Sequence, residues 1–418
     1  MFGSSFARSA ESSSGEDTPQ EGESAAASSF TTIHRFLGGA GAEFPRGGVA
    51  LDAGGNVYGT AYYGGACVYC GVIYKLAKPA PGKTAWTYTI LHKFGRGPVG
   101  ADAIGPVAPL TIKGSTIYGT AAAGANASCG CGAVFRLTKS GSGWVYNILH
   151  RFDRTQGSTP LGGVLIAGDG TLYGTASAGG AHGAGVVYKI TKGGVFSVLH
   201  HFAGPFNSGP QGELIFGKDG AIYGTAFGGG KYKEGLVFRI TPSGSYSVLY
   251  NFLGVNQPGG SHDGAQPEGR LARAADGTIF GTTAFGGTPS GYGTAWSLSP
   301  KPGGKWSYTQ TYIFGRGANQ PNLPHSGLAI DLAGKLYGTG AGGGAFGSGT
   351  LYRLSKPASG PIWNLTVLHS FKGRNAGGDN PFADIVLNAG TLYGSTLTGG
   401  FTGRCNNRGC GTVFARKL

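Results

Sequence analysis

Six cysteines form three local pairs, Cys67/Cys70, Cys129/Cys131 and Cys405/Cys410. Paired thiols can bind a metal, cycle as a redox dithiol or close a loop. A zinc centre needs four ligands converging in one geometry, which pairs on separate loops do not offer. A reactive dithiol needs a helix N-terminus or a cation to depress its thiol pKa, and the flanking glycines here read as hairpin loops. Three loop-closing disulfides formed in an oxidising compartment are therefore expected. Five histidines invite a second metal hypothesis: His34, His92, His150, His200 and His369 each stand two residues before a Phe. Tyr250 and Tyr312 fill the same slot in two further copies, so the slot wants an aromatic body with a polar tip. That is packing, and no metal or cofactor is expected.

The irregular polar residues carry more functional information. Arg96, Arg154, Arg316 and Arg374 each follow a Phe by two or three residues, and Arg46 stands in the corresponding N-terminal stretch. A ring of guanidiniums would pair bidentately with carboxylate, sulfate or phosphate. His262, Asp263 and His325 lie in the same class of connection, while Glu213, Arg270 and Asp384 replace small residues at the start of short apolar runs. Convergence of a His, an Arg and a carboxylate on one pocket would favour an enzyme, whereas dispersal would favour binding or mere ion pairing. Lys75, Arg136, Lys189, Arg239 and Arg353 recur at one position and read as a solvated ring that guards strand edges. No GxSxG elbow, HExxH pair, sialidase-type Asp-box or quinoprotein Trp motif is present.

What must position these residues is a repeat. Tyr-Gly-Thr or a near copy begins at Tyr58, Tyr118, Tyr173, Tyr223, Phe280, Tyr337 and Tyr393. A short apolar run precedes each, with Asp-Gly turns at Asp169, Asp219 and Asp276. A Gly-Gly loop, a run such as GVIYKL or VVYKI and a run such as YTILHKF or FSVLHHF follow. Runs of four to seven β-branched or aromatic residues bounded by turn residues are strands, and Asp-Gly suits a two-residue hairpin turn. Four strands per repeat make one antiparallel sheet that cannot bury both faces alone; seven stacked around an axis can. FTTIHRF at residue 30 matches the fourth strand, whereas the chain ends on a third strand, TVFARKL. The expectation is an all-β, seven-bladed propeller over 30–418, its ring closed by the N-terminal strand. The recurring hydroxyls Thr60, Thr120, Thr175, Thr225, Thr282, Thr339 and Ser395 read as partners of loop backbone.

Composition agrees. The 84 glycines and 21 prolines in 418 residues break helices, and no three-residue period makes the chain collagen-like. There is no apolar run of about 18 residues. Residues 1–29 are rich in Ser, Ala and Glu and read as a disordered tail with no visible signal peptide. Residues 30–418 hold 32 Lys and Arg against 14 Asp and Glu, a balance that attracts anions non-specifically. The stacking platforms and basic stripe of a dedicated nucleic-acid binder are absent.

The frame Gly-x-Leu…Asp-Gly-x-Leu-Tyr-Gly-Thr…Gly-Gly…Gly-Thr-Val-Phe-Lys-Leu…Leu-His-x-Phe resembles the GloVer (Gloeo/Verruco) tandem repeat of bacterial proteins, over essentially all of 30–418. The resemblance implies a bacterial surface or secreted protein and assigns no reaction or catalytic residue. The functional expectation is a monomeric, exported, non-catalytic binding module. It would recognise an anionic polysaccharide or cell-envelope polymer on its loop-rich face, in an extracellular, periplasmic or cell-surface location. The alternatives are a propeller lyase or hydrolase acting on an acidic polysaccharide, and a structural interaction scaffold.

Overall fold

A computed structural model describes residues 30–418, apart from Gly97, Val99, 205–207, 255–262, Pro289, Ser290, Arg316, 374–376, 402–404 and Asn406. The described chain forms seven four-stranded antiparallel sheets, each a blade. Blade 1 consists of Val49–Leu51, Val57–Ala61, Val72–Ala77 and Thr87–Lys93, from the axis outward. Blades 2 to 6 repeat this order. Blade 7 takes Val386–Asn388, Thr391–Thr396 and Thr412–Lys417 from the C-terminal end and Phe30–Arg35 from the N-terminal end. The pairing Phe30↔Arg416 through Arg35↔Thr412 closes the ring, as the phase of the repeat implied.

Third strands are apolar at almost every position because both of their faces meet a neighbouring blade. Val186–Ile190 is buried at all but Lys189, and Leu236–Ile240 at all but Arg239. Buried side chains segregate into seven clusters, and each cluster joins two adjacent blades. Ile73 of blade 1 packs with Phe135 and Leu137 of blade 2, for example, and Val413 of blade 7 packs with Val72 and Tyr74 of blade 1. The hydrophobic effect therefore operates between blades rather than within one.

Each outer strand ends in a buried Phe whose backbone N–H donates to the Gly opening the third strand, as in Phe94 to Gly71 at 3.1 Å and Phe152 to Gly132 at 3.0 Å. That Gly is obligatory. Gly71 has φ +88°, and a Cβ there would lie 2.4 Å from Cδ of Pro106, the residue that leads into the next blade. The same Gly–Pro contact recurs at Gly349/Pro381 and, across the ring closure, at Gly411/Pro45. The Tyr-Gly-Thr hydroxyls tie the same junctions. Thr120 donates to the Gly162 carbonyl at 2.9 Å, Thr282 to Ser326 at 2.9 Å and Ser395 to Pro45 at 2.9 Å, each on the next blade.

Candidate functional site

The Pro that fixes each junction starts a short segment at the mouth of the central axis. Blade 1 reads Pro45-Arg46-Gly47-Gly48, blade 4 Pro210-Gln211-Gly212-Glu213, and blade 7 Pro381-Phe382-Ala383-Asp384. The residue after the Pro forms an upper ring and the residue two further on a lower ring. The upper ring, with Pro109, Glu213 and Asp384 of the lower, lines a pocket of about 80 Å³ to which all seven blades contribute. Small residues between the rings let the inner strands approach closely: a Cβ on Gly269 would lie 2.5 Å from the Gly327 nitrogen.

The upper ring mixes polar and apolar positions: Val107 and Leu161 are neighbours on blades 2 and 3, whereas Phe382 on blade 7 stands between His325 and Arg46. Val107, Leu161 and Phe382 are apolar, while Arg46, Gln211, Glu268 and His325 are polar. The Phe382 ring stacks on His325 with centroids 4.5 Å apart, and the Arg46 guanidinium lies 5.2 Å from its centroid. His325 Nδ1 pairs with Glu268 Oε1. In the lower ring Arg270 Nη1 sits 3.7 Å from Glu213 Oε2, and Asp384 Oδ1 accepts from the Gly327 N–H. Glu213 leans over Gly163, where a Cβ would come within 2.3 Å of its Oε1. Burial pushes the Glu213 carboxyl up to about 7; Arg270 opposes that shift and the negative charge of Asp384 adds to it.

Of the residues singled out in the sequence, Arg46, His325, Glu213 and Asp384 line this pocket, and Arg270 joins it through Glu213. Arg96 and Arg154 are exposed and lie away from it. They follow outer strands, three inter-strand spacings or about 14 Å from the inner strand, so the described arginines do not form a ring around the mouth. Asp263 is buried elsewhere as a loop clasp. It accepts from the Tyr250 hydroxyl at 2.5 Å and from the backbone of Leu253 and Gly254. His262, Arg316 and Arg374 lie outside the described residues. Glu268, Gln211 and Phe382 were not anticipated.

The histidine slot is structural. His92 stacks on Tyr146 at 4.0 Å, His150 on Phe196 at 3.7 Å and His369 on Phe30 at 3.6 Å, always across a blade boundary. Desolvation holds His34, His150 and His369 down at about 4, so these rings pack as neutral aromatics. Among the described residues no group of three His, Cys, Asp or Glu is arranged to hold a metal ion. The cysteines are oxidised within their loops: Cys67–Cys70, Cys129–Cys131 and Cys405–Cys410, with Cα separations of 5.2, 5.2 and 5.4 Å. No helix among the described residues is long and apolar enough to cross a membrane.

The fold and its repeated frame define a class, the closed seven-bladed propeller built of tandem repeats. The profile of the Gloeobacter/Verrucomicrobia repeat matches residues 23–215, 105–328 and 163–414, and the chain belongs to that family. No curated protein matches it in sequence. Among solved structures it is similar to the putative oxidoreductase (glucose dehydrogenase) of Thermus thermophilus, at 16% identity over 93% of this chain and 99% of that one, TM-score 0.45. It is also similar to the PQQ-bound aldose sugar dehydrogenase of Streptomyces coelicolor, at 14% identity over 94% and 99%, TM-score 0.40. A gluconolactonase of Xanthomonas campestris matches at 13% identity over 69% and 82%, TM-score 0.40.

Proposed function

We propose that this protein is an exported, non-catalytic binding module that receives a glycan on its loop-bearing face, one saccharide residue being seated in the axial pocket. The mixed polar and apolar lining of that pocket carries the reading. A sugar ring presents hydroxyls at its edge and C–H groups on its faces. Gln211, Glu268, Asp384 and Glu213 offer hydroxyls partners, and two separate apolar patches, the Phe382 ring and the pair Val107 and Leu161, offer surfaces to the C–H faces. Acidic substituents of the glycan belong at Arg46, with Arg96 and Arg154 further out on the same face; the carboxylate-rich floor repels them. The three disulfides support export, and a cell-envelope polymer is one such ligand.

A second reading rests on the convergence of His325, Arg46 and three carboxylates on one pocket, the condition that favours an enzyme. It stands second because His325 is paired with Glu268, Glu213 with Arg270 and Asp384 with the Gly327 N–H. A carboxylate paired to Nδ1 of a histidine, beside Asp384, is the arrangement a general base needs, and it supports a lyase or hydrolase acting on the same glycan. One experiment separates the two. The full chain is screened against neutral and acidic oligosaccharides, and every ligand found is incubated with it and analysed for shortened or unsaturated products. Intact ligand, with binding at least about tenfold weaker in R46A/H325A, is the expected result. Cleavage products establish the second reading, and unchanged affinity in R46A/H325A overturns the axial site.

A further inference from the structure

On the face opposite the axial pocket, the clefts between blades hold a constellation that recurs. Between blades 4 and 5, a cavity of about 530 Å³ is lined by Tyr223, Asp219 and Arg239 of one blade and by Trp306, Lys301 and Lys305 of the next. Between blades 1 and 2, a cavity of about 420 Å³ is lined by the equivalent Tyr58, Asp52 and Lys75, with Trp144 and Lys139 opposite. The local frame is the same in both. The Asp of the first hairpin accepts from the second-strand Tyr, Tyr58 to Asp52 at 2.9 Å and Tyr223 to Asp219 at 3.0 Å. The third-strand cation is held beside it: Arg239 Nε donates to Asp219 at 2.8 Å, and Lys75 Nζ lies 5.6 Å from the Tyr58 ring centroid. Each Trp meets that Tyr edge-on, at 5.7 Å for Trp306 and 6.5 Å for Trp144, and stays partly exposed to the cleft.

The junction of blades 3 and 4 differs from these two. Blade 4 begins its outer strand with a short hairpin and no Trp, and there the blade 3 base, Lys189, turns its Nζ onto the Pro242 carbonyl at 3.3 Å. In the blade 1–2 and 4–5 clefts the lysines instead line a cavity beside a partly exposed Trp, whereas the equivalent Trp363 of blade 6 is buried against Phe280. Cations outnumber carboxylates in both linings, Lys218, Arg239, Lys301 and Lys305 against Asp219 and Asp276 in one and Lys75 and Lys139 against Asp52 in the other. With an indole flank they suit a ring with an apolar face and an anionic substituent.

We propose that these two inter-blade clefts each bind an acidic saccharide residue, the Trp flank covering the sugar face and the lysines pairing with its carboxylate or sulfate. The assignment is independent of the axial pocket. It turns the third-strand cations, which the sequence presents as a solvated guard ring, into site residues on two of the blades. The test uses the full chain carrying R46A/H325A, so that the axial pocket is disabled, titrated calorimetrically with hexagalacturonate, a sulfated hexasaccharide and neutral maltohexaose. The expected result is saturable binding of an acidic hexamer at two sites per chain, with no binding of maltohexaose. W306A should leave one site and W144A/W306A none. Because a Trp substitution can disturb packing, K301E/K305E, which alters only exposed residues, should weaken the blade 4–5 site about tenfold or more. Lack of binding by both acidic hexamers, equal binding of maltohexaose, or full binding by K301E/K305E and W144A/W306A overturns the proposal. Persistence of the two sites when R46A/H325A has no effect on the parent would leave the clefts standing and the axial reading refuted.

Discussion

Glu213→Gln probes the floor of the axial pocket. The Glu213 carboxyl is raised from its ordinary 4.5 to about 7, with burial as the largest cause. The folded site therefore holds its proton more tightly than the unfolded chain does. The resulting penalty on the folded state is absent below pH 4.5, grows as pH rises towards 7 and is complete above it. At 1.36 kcal/mol per pKa unit, the shift corresponds to about 3 kcal/mol. Gln carries no such charge, so the difference in unfolding free energy, wild type minus variant, should fall by about 3 kcal/mol across that window. Other titrating groups are common to both proteins and cancel. Urea unfolding at fixed ionic strength, followed at several pH values from about 4 to 8, measures the difference. A curve flat to within about 0.5 kcal/mol, or one rising with pH, would refute both the desolvation of Glu213 and the closeness of the lower ring.

Ring closure predicts that Phe36→Ala, at a side chain only 1% exposed and packed edge-on against Tyr74, destabilises by about 3–5 kcal/mol. Removing residues 1–29 should leave the melting temperature unchanged, and thermal melts of both proteins decide it. Thr120→Val should cost about 1 kcal/mol, because it deletes the inter-blade bond to Gly162. The equivalent Thr175→Val should cost less, since that buried hydroxyl has no hydrogen-bond partner among the described residues; chemical unfolding compares them. Peptide mapping without reduction should recover the three within-loop disulfides. Cys67→Ser/Cys70→Ser should cost less than about 3 kcal/mol, because so short a loop constrains the unfolded chain little.

The blades were legible because their signals are local. Tyr-Gly-Thr or a near copy recurs in all seven repeats, His-x-Phe in five and an Asp-Gly turn in three, and the phase of FTTIHRF against TVFARKL implied closure. The disulfides were legible because each pair sits just before the Gly of a third strand. The pocket was only half legible. Its signal was the Pro before each inner strand, followed by a residue that changes from Arg46 to Val107, Gln211, Glu268, His325 and Phe382. Grouping residues by loop hid this register, so Arg96 and Arg154 were set beside Arg46 although they end outer strands at the perimeter. Asp263 misled for a related reason: a polar residue in a long connection serves the backbone of that connection as readily as a ligand. The Trp clefts were illegible, because Tyr58 and Trp144 meet only when one blade packs on the next.

The most direct test of the account is a crystal structure of the full chain grown with the oligosaccharide that binds it best. The account predicts a saccharide residue in the axial pocket, its face against Phe382 and its hydroxyls within hydrogen-bond reach of Glu268, Gln211 or Asp384, with an acidic substituent directed at Arg46. A ligand-bound crystal in which the axial pocket holds no saccharide would contradict it.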